Sequence, residues 1–294
     1  MVLISFLLFF TLSLNSSQLF AQAHPGYEKF NFSKIDEAEA LFVRKRYEES
    51  LEKFKGILKS EEGTSYIFRI MLKAWNAKGE LDNAEKFLKN YQASNKDSSH
   101  IWYAFGYLNY LKESYPAAEK NFERAIQINP KNGLAWNNWG AILSEKKQFV
   151  VAVEKVQRAI KADPKEPIFI WNLHKIYLEM GEPKRFENDY KNLLEQNSKQ
   201  LAWGYGKILV RVIRQKAFGS YSKGELDKAI LGFEDMLEIY QEIGDVKGQV
   251  PALFSLGLLN EEKGNVQKAQ KFFARVLVIN PNHIQAREKI RPLD

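Results

Sequence analysis

The chain contains no cysteine, only four histidines and a single long apolar run, which lies at its start. The lack of cysteine excludes disulfides and thiol chemistry, and it suits an oxidising compartment without requiring one. The histidines stand apart and form no metal-ligand spacing such as H-E-x-x-H, so no metal site is expected. The glycines also stand singly, so no loop is suited to cradle phosphate. The sequence therefore predicts a protein that is not an enzyme and that holds no cofactor.

The length and the charge leave the class of partner open. A chain of 294 residues suffices for one elongated solenoid or for two compact domains. The formal net charge of +7 favours acidic partners or surfaces. Lysine-rich helices on a solvated solenoid would give the same excess without any functional reason. No nucleic-acid partner is predicted.

The apolar run from Val2 to Leu14 has the properties of a targeting segment. It is too short to span a membrane, which takes about 20 residues. The sequence Ala21-Gln22-Ala23 that follows matches the A-x-A pattern of a cleavage site. Residues 1–23 are therefore predicted to be a signal peptide, and the mature chain to begin at His24 in the periplasm or outside the cell. The alternative is an uncleaved anchor, because no Lys or Arg precedes the apolar run.

Two instances of one pattern follow each other in residues 98–164. The first is Trp102, Phe105, Gly106, Ala118, Phe122, Ala125 and Pro130, and the second is Trp136, Trp139, Gly140, Ala152, Val156, Ala159 and Pro164. Each residue of the second set lies 34 residues after its counterpart, and a fixed period of this length indicates repeats that cover one another's apolar faces. The pattern resembles the tetratricopeptide repeat (TPR), a helix–turn–helix unit of 34 residues. The resemblance implies an all-α, right-handed α-solenoid.

The same period extends in both directions. Turns between paired helices are predicted at Lys45, Gly79, Glu113, Lys147 and Gly181. A small slot of the second helix is filled by Ser50, Ala84, Ala118, Ala152 and then Phe186, and a large slot four residues later by Phe54, Leu88, Phe122, Val156 and Tyr190. A small residue beside a large one lets two helices approach closely. The first and fifth repeats are degenerate, with Glu37 and His174 in slots that elsewhere carry apolar or small residues.

The period lengthens after Asn197. The next turn glycines, Gly224 and Gly264, follow at wider spacing, and 201–221 is predicted to be one extended first helix. Residues 283–290 would cap the apolar end of the array. The predicted organisation is a signal peptide, five repeats of 34 residues over 24–197, and two longer repeats with a capping helix over 198–294. About seven TPR units are therefore expected.

The family resemblance implies that an inner groove, lined by the first helix of each repeat, binds an extended peptide or a partner's helix. The positions that the period places inward are Tyr66, Arg69, Lys73, Asn76, His100, Tyr103, Tyr107, Tyr110, Asn137, Ala141, Ser144, Trp171 and Lys175. Tyrosines offer a large contact area and a hydroxyl for hydrogen bonding, so Tyr103 and Tyr107 are predicted to anchor a peptide. The alternative is that these aromatic residues pack against adjacent helices.

A second candidate surface lies on the extended first helix of the sixth repeat. Its members recur at steps of four and three residues and so share one helix face. They are Lys207, Arg211, Arg214, Phe218 and Tyr221. Such a stripe suits an acidic peptide, an anionic glycan or a lipid head group. The alternative is a solvated basic face.

These observations favour a non-enzymatic scaffold of the cell envelope that binds a protein or peptide partner. Two alternatives stay open. The basic stripe would bind an anionic envelope polymer, a cell-wall surface or a membrane, or the chain would be a regulatory subunit that docks a separate enzyme. Salt separates the first alternative from the scaffold, because binding to a polyanion weakens steeply as salt rises.

The N-terminal pattern makes a first testable prediction. Protein purified from the native host should begin at His24, because Ala21 and Ala23 supply the small residues that a signal peptidase requires. Intact-mass measurement checks this directly. A mass that retains residues 1–23 would favour the anchored form instead.

Overall fold

The computed structural model describes residues 32–60, 63–95 and 97–290. These residues form helices joined by short turns, with no strand among them, which confirms the all-α prediction. The predicted signal peptide lies outside the described residues. The helices are α1 (Phe32–Val43), α2 (Tyr47–Ile57), α3 (Ser65–Lys78), α4 (Leu81–Ser94), α5 (Ser99–Leu111), α6 (Tyr115–Ile128), α7 (Gly133–Glu145), α8 (Phe149–Ala162), α9 (Pro167–Glu179), α10 (Pro183–Glu195), α11 (Lys199–Ser222), α12 (Leu226–Glu242), α13 (Val246–Glu262), α14 (Val266–Ile279) and α15 (Ile284–Lys289).

Consecutive helices pack as pairs, each consisting of a first and a second helix. Contacts join α1 to α2, α5 to α6, α7 to α8, α11 to α12 and α13 to α14, while α3 meets α4 and α9 meets α10. The short α15 packs on α14, where the Gln270 side-chain amide donates to the Lys289 carbonyl over 2.8 Å. Within the described residues, seven helical pairs and a terminal helix confirm the prediction of about seven helix–turn–helix repeats. The right-handed sense of the superhelix stays a prediction.

Two compact units make up the chain, and they divide between Asn172 and Leu173 within α9. The first unit contains α1 to α8 and the start of α9. The second contains the rest of α9 and α10 to α15. The domain boundary predicted between residues 197 and 198 rests on the lengthened sequence period and stays a prediction.

The predicted turn positions adopt a left-handed backbone. Lys45, Glu113 and Lys147 have φ values of 61°, 59° and 59°, and Gly79 and Gly181 have values of 73° and 77°. After α3 the Gly79 amide donates to the Asn76 carbonyl and the Glu80 amide to the Trp75 carbonyl, a pattern that closes a helix end. Gly224 and Gly264 take the same conformation in the longer repeats. The turn prediction is therefore confirmed at every position.

Close approach within each pair occurs at the predicted small slots. Ala118 and Ala152 have no exposed surface. A Cβ atom added to Gly106 would lie 2.5 Å from the Phe122 ring, and one added to Gly140 would lie 2.6 Å from Val156. These distances are shorter than real Cβ contacts, so a larger residue would push the two helices apart.

The fifth repeat departs from this rule and stays well packed. His174 occupies the position that is glycine in the two preceding repeats, and Phe186 occupies the small slot. Their rings meet edge to face at 4.8 Å, and Phe186 stacks on Tyr205 at 4.7 Å. Burial lowers the pKa of His174, which favours its neutral form. Aromatic packing thus replaces the small-residue contact here.

Ion pairs between successive repeats form a feature that the sequence analysis missed. Near the ends of α3, α5 and α7 a lysine reaches the preceding second helix: Lys78 contacts Glu48, Lys112 contacts Asp82 at 2.8 Å, and Lys146 contacts Glu119. These lysines recur at the 34-residue period. Exposed pairs of this kind each contribute little to stability, so they are not the main interaction between successive repeats.

The longer repeats begin with α11, which spans 24 residues and confirms the predicted extended first helix. None of the helices in the described part of the chain is both long and apolar enough to cross a membrane.

The small slot makes a second testable prediction. Replacing Ala118 with Leu should lower the free energy of unfolding by about 1–3 kcal/mol, because the added atoms have no room between α5 and α6. Denaturant unfolding measures the loss. Ala117→Leu is the matched control, since Ala117 is exposed on the same turn of α6. Equal stabilities of the two variants would contradict the assigned packing.

Candidate functional site

Polar caps fix where the first helices of the first unit begin. The side chains of Thr64, Ser98 and Asn132 accept from the amides of Ile67, Ile101 and Ala135 at 3.3, 3.4 and 3.2 Å. Each cap residue stands one repeat after the last. Because α3, α5 and α7 begin in register, the predicted groove residues lie at matching levels. The side of α3, α5 and α7 that carries the predicted groove residues is called here the first-helix face.

A row of stacked tyrosines follows α5 along this face. The rings of Tyr103 and Tyr107 are 6.0 Å apart and nearly parallel, and those of Tyr107 and Tyr110 are also 6.0 Å apart. The Tyr110 hydroxyl donates to Glu145 on α7 over 3.0 Å. The spacing of four and three residues correctly predicted that the three side chains share one helix face.

The tyrosines of this row are more deeply buried than a peptide-binding surface would require. Tyr103 is completely buried, its ring lies 5.9 Å from that of Phe122, and its hydroxyl accepts from Asn138 over 3.2 Å. Burial raises the pKa of Tyr103 far above its usual range. Tyr107 is 8% exposed, and Tyr110 is half-buried. The ring of Tyr103 is therefore core, as the packing alternative expected, and it is not available to a peptide in this structure.

Asparagine amides extend the contacts of Tyr103 across two further repeats. Asn137 donates to Asn138 over 3.1 Å and accepts from Asn172 over 2.9 Å, so α5, α7 and α9 are linked within the first unit. Asn137 is 2% exposed, which makes it a structural residue of the face rather than a contact point for a ligand. Asn138 and Asn172 were not singled out from the sequence. Their shared position in successive repeats was the available signal.

Two cations stand side by side on α3. Arg69 and Lys73 are half-buried, and neither makes a salt bridge with any residue that the structure describes. Burial lowers the pKa of Lys73, and Arg69 lowers it further, while Glu166 and Glu39 oppose the change. The nearby Tyr66 has its pKa raised by burial and by Glu39. This part of the face therefore holds two partly desolvated cations near a carboxylate of α1, Glu39, and one that directly precedes α9, Glu166.

A polar cavity of about 180 Å³ opens beside the beginnings of α3, α5 and α7. The His100 ring accepts from the Ser65 amide over 3.2 Å through Nδ1. Asn132 donates to the hydroxyl oxygens of Ser65 and Ser99 over 3.1 and 2.8 Å. The cavity also borders Tyr66. These bonds join three repeats at the edge of the first-helix face.

The remaining predicted groove positions differ in accessibility. Ser144 is buried, Ala141 and Trp171 are half-buried, and Asn76 and Lys175 are exposed. The structure thus brings Tyr66, Lys73 and Tyr107 each within electrostatic range of Arg69. Whether these side chains bind a partner stays a prediction.

The predicted basic stripe of the second unit is shorter than expected. Phe218 packs edge to face on Phe233 at 5.3 Å, and the Tyr221 hydroxyl donates to Glu262 over 3.0 Å. Both residues therefore serve packing within the second unit. Arg211 and Arg214 are exposed, as the stripe requires.

Lys207 holds a fixed position between aromatic rings. Its ammonium donates to Asp245 over 2.7 Å and lies 5.4 Å from the Trp203 ring and 5.2 Å from the Tyr240 ring. Trp203 is 42% exposed and was not singled out from the sequence. Its place one helical turn before Lys207 was the available signal.

Within the described residues no three His, Asp or Glu side chains are grouped so as to hold a metal ion.

Family comparison bears on the repeats directly. Models of the tetratricopeptide repeat match residues 103–167 and residues 250–283. The chain contains tetratricopeptide repeats. The matched segments fall in both units, and the intervening helical pairs carry the same left-handed turns, at Gly181 and Gly224. TPR arrays typically act as non-enzymatic scaffolds for protein–protein interaction.

Comparison with the curated proteins finds no significant match. Among solved structures, the C-terminal part of a TPR repeat-containing protein from Cytophaga hutchinsonii is 16% identical, with 87% of this chain and 99% of that one covered and a TM-score of 0.41. Human IFIT1, as a dimer with PPP-AAAA, is 16% identical over 90% and 67% of the chains, with a TM-score of 0.45. YrrB, described as a TPR protein with an unusual peptide-binding site, is 17% identical over 68% and 96%, with a TM-score of 0.34. Similarities at this level carry no argument about partners.

The tyrosine row makes a third testable prediction. Tyr103→Ala should lower the free energy of unfolding by about 3–5 kcal/mol, the usual cost of emptying a buried aromatic site. Tyr110→Ala should cost less than half as much, because its ring is only half-buried. Urea denaturation of both variants decides the ranking. A larger loss from Tyr110→Ala would contradict the assigned depths.

Proposed function

We propose that this TPR protein is an exported, non-enzymatic scaffold of the cell envelope, and that it binds an extended peptide or a helix of a partner protein on the first-helix face. The repeats support the scaffold role. The observation that carries the binding site is the pair of half-buried cations, Arg69 and Lys73.

Placing two like charges side by side in a partly desolvated surface is costly. Burial and the neighbouring Arg69 lower the pKa of Lys73 by more than Glu166 and Glu39 raise it, so its charged form is disfavoured there. An acidic group of a partner would relieve the repulsion and form charge-assisted hydrogen bonds with both side chains. A buried ionisable group with a specific charged neighbour, as Lys73 is, occurs more often at functional sites than elsewhere.

The aromatic residues around the cations supply contact area. Tyr66 lies beside Arg69, and Tyr110 presents its ring further along the face. A tyrosine ring buries much apolar surface while it loses little side-chain entropy, which is why tyrosine is enriched in binding surfaces. A partner segment with an acidic residue next to an apolar one would match this combination.

The N-terminal sequence supports export. An apolar run of signal-peptide length is followed by the Ala21-Gln22-Ala23 pattern, and the chain has no cysteine. A scaffold exported in this way would meet its partner in the envelope.

The fourth prediction tests the binding site. Affinity capture from the native envelope with the mature chain should recover a protein partner, and Arg69→Gln with Lys73→Gln should weaken its binding by about thirtyfold, the effect of losing a principal anchor. The matched control is Lys86→Gln with Lys161→Gln, which removes the same charge from exposed positions on α4 and α8.

Circular dichroism must show that the helices survive in both double variants. Unchanged affinity of the Arg69 and Lys73 variant, with the fold intact, would refute the site on the first-helix face. Equal weakening by the control would mean that net charge, and not this site, determines binding.

A further inference from the structure

The second unit carries a separate surface on α11, which does not depend on the first-helix face. Its members are Trp203, Lys207, Arg211 and Arg214, here called the α11 surface. Steps of four, four and three residues place them on one side of the helix. Other residues of α11, including Ile208 and Leu209, are buried, and the helix packs against α10 and α12.

Trp203 is the apolar part of this surface. Its side chain is 42% exposed, although tryptophan buries more apolar area than any other residue when it is covered. The Lys207 ammonium lies over the ring at 5.4 Å and is itself fixed by Asp245, at 2.7 Å, and by the Tyr240 ring. The ring is therefore held in place before any ligand arrives. A preorganised aromatic residue loses little entropy when a ligand covers it.

Arg211 and Arg214 supply the charged part. Both are exposed, and they follow Lys207 along the same side of α11. Arg214 lies near enough to Tyr240 to oppose the rise in the pKa of that buried hydroxyl. Asp245 is already engaged by Lys207 and its side chain is only 15% exposed. Guanidinium groups bind carboxylates in a two-pronged geometry, so these two positions favour acidic side chains.

We propose that the α11 surface docks a short acidic segment of a protein partner, whose apolar side chain covers Trp203 and whose carboxylates bind Arg211 and Arg214. Charge complementarity argues for an acidic partner. The adjoining tryptophan argues for a peptide, because a bare polyanion would leave that ring in water. An anionic membrane is less well matched, since Lys207 is neutralised by Asp245 and one tryptophan offers little area for insertion.

The fifth prediction uses the full chain and short fluorescein-labelled acidic peptides that each carry one Leu, Phe or Trp. Fluorescence anisotropy should show binding, and replacing the apolar residue of the peptide with Ala should weaken it by about tenfold. Trp203→Ala should have an effect of similar size, about tenfold, as should Arg211→Gln combined with Arg214→Gln. Binding should fall only modestly as salt rises.

Two matched controls lie in the same unit. Leu231→Ala removes an exposed apolar side chain from α12, and Lys271→Gln with Arg275→Gln removes two exposed cations from α14. Each should leave the affinity within about twofold of the original, as expected for residues outside the contact. Equal effects of controls and test variants would overturn the proposal.

Three further results would also overturn it: no measurable binding of any peptide in the set, full affinity for the Ala-containing peptides, or tighter binding to anionic vesicles or dextran sulfate than to the peptides. The last result would assign the surface to a membrane or to a polyanion. Loss of first-helix binding by the Arg69 and Lys73 variant leaves this test unaffected, so the two sites can fail separately.

Discussion

The helical pairs α5–α6, α7–α8 and α13–α14 each depend on one close contact, in which a glycine of the first helix packs against a large side chain of the second. Gly106 faces Phe122, Gly140 faces Val156, and Gly257 faces Phe273. Because glycine has no side chain, the large residue of the second helix packs directly against the backbone of the first. The other side of the first helix is left to contact the next repeat or a ligand. The side that we propose to bind a partner is thus the side that packing within the pair leaves uncovered.

This contact also explains why much of the fold could be predicted from the sequence. Small and large slots recur at a fixed period. The turns recur at the same period, with a left-handed backbone at Lys45, Glu113 and Lys147. Local constraints of this kind can be recognised in a single sequence because the same residue types recur in each repeat. The ends of α6, α8 and α14 are also predictable, because Pro130, Pro164 and Pro281 follow them and proline cannot continue a helix.

The candidate sites were harder to predict, because a period gives the direction of a side chain and not its depth. Tyr103 points where the period placed it, yet its ring is covered and its hydroxyl is bound by Asn138 of the next repeat. Trp203 was missed for a related reason, since the lengthened repeat disturbs the phase after Asn197. Phe218 and Tyr221 share a helix face with Arg214, but contacts made by α12 and α13 decide their role. Such contacts between distant residues leave no local pattern.

In the first unit, we propose that the first helices, and not the second, present the binding surface. Hydrogen–deuterium exchange of the mature chain, with and without its captured partner, shows which helices the partner covers. We expect the partner to slow exchange in α3, α5 and α7, most of all around Arg69 and Lys73, and to leave α4, α6 and α8 nearly unchanged. Protection confined to α4, α6 and α8 would place the binding surface on the second helices instead.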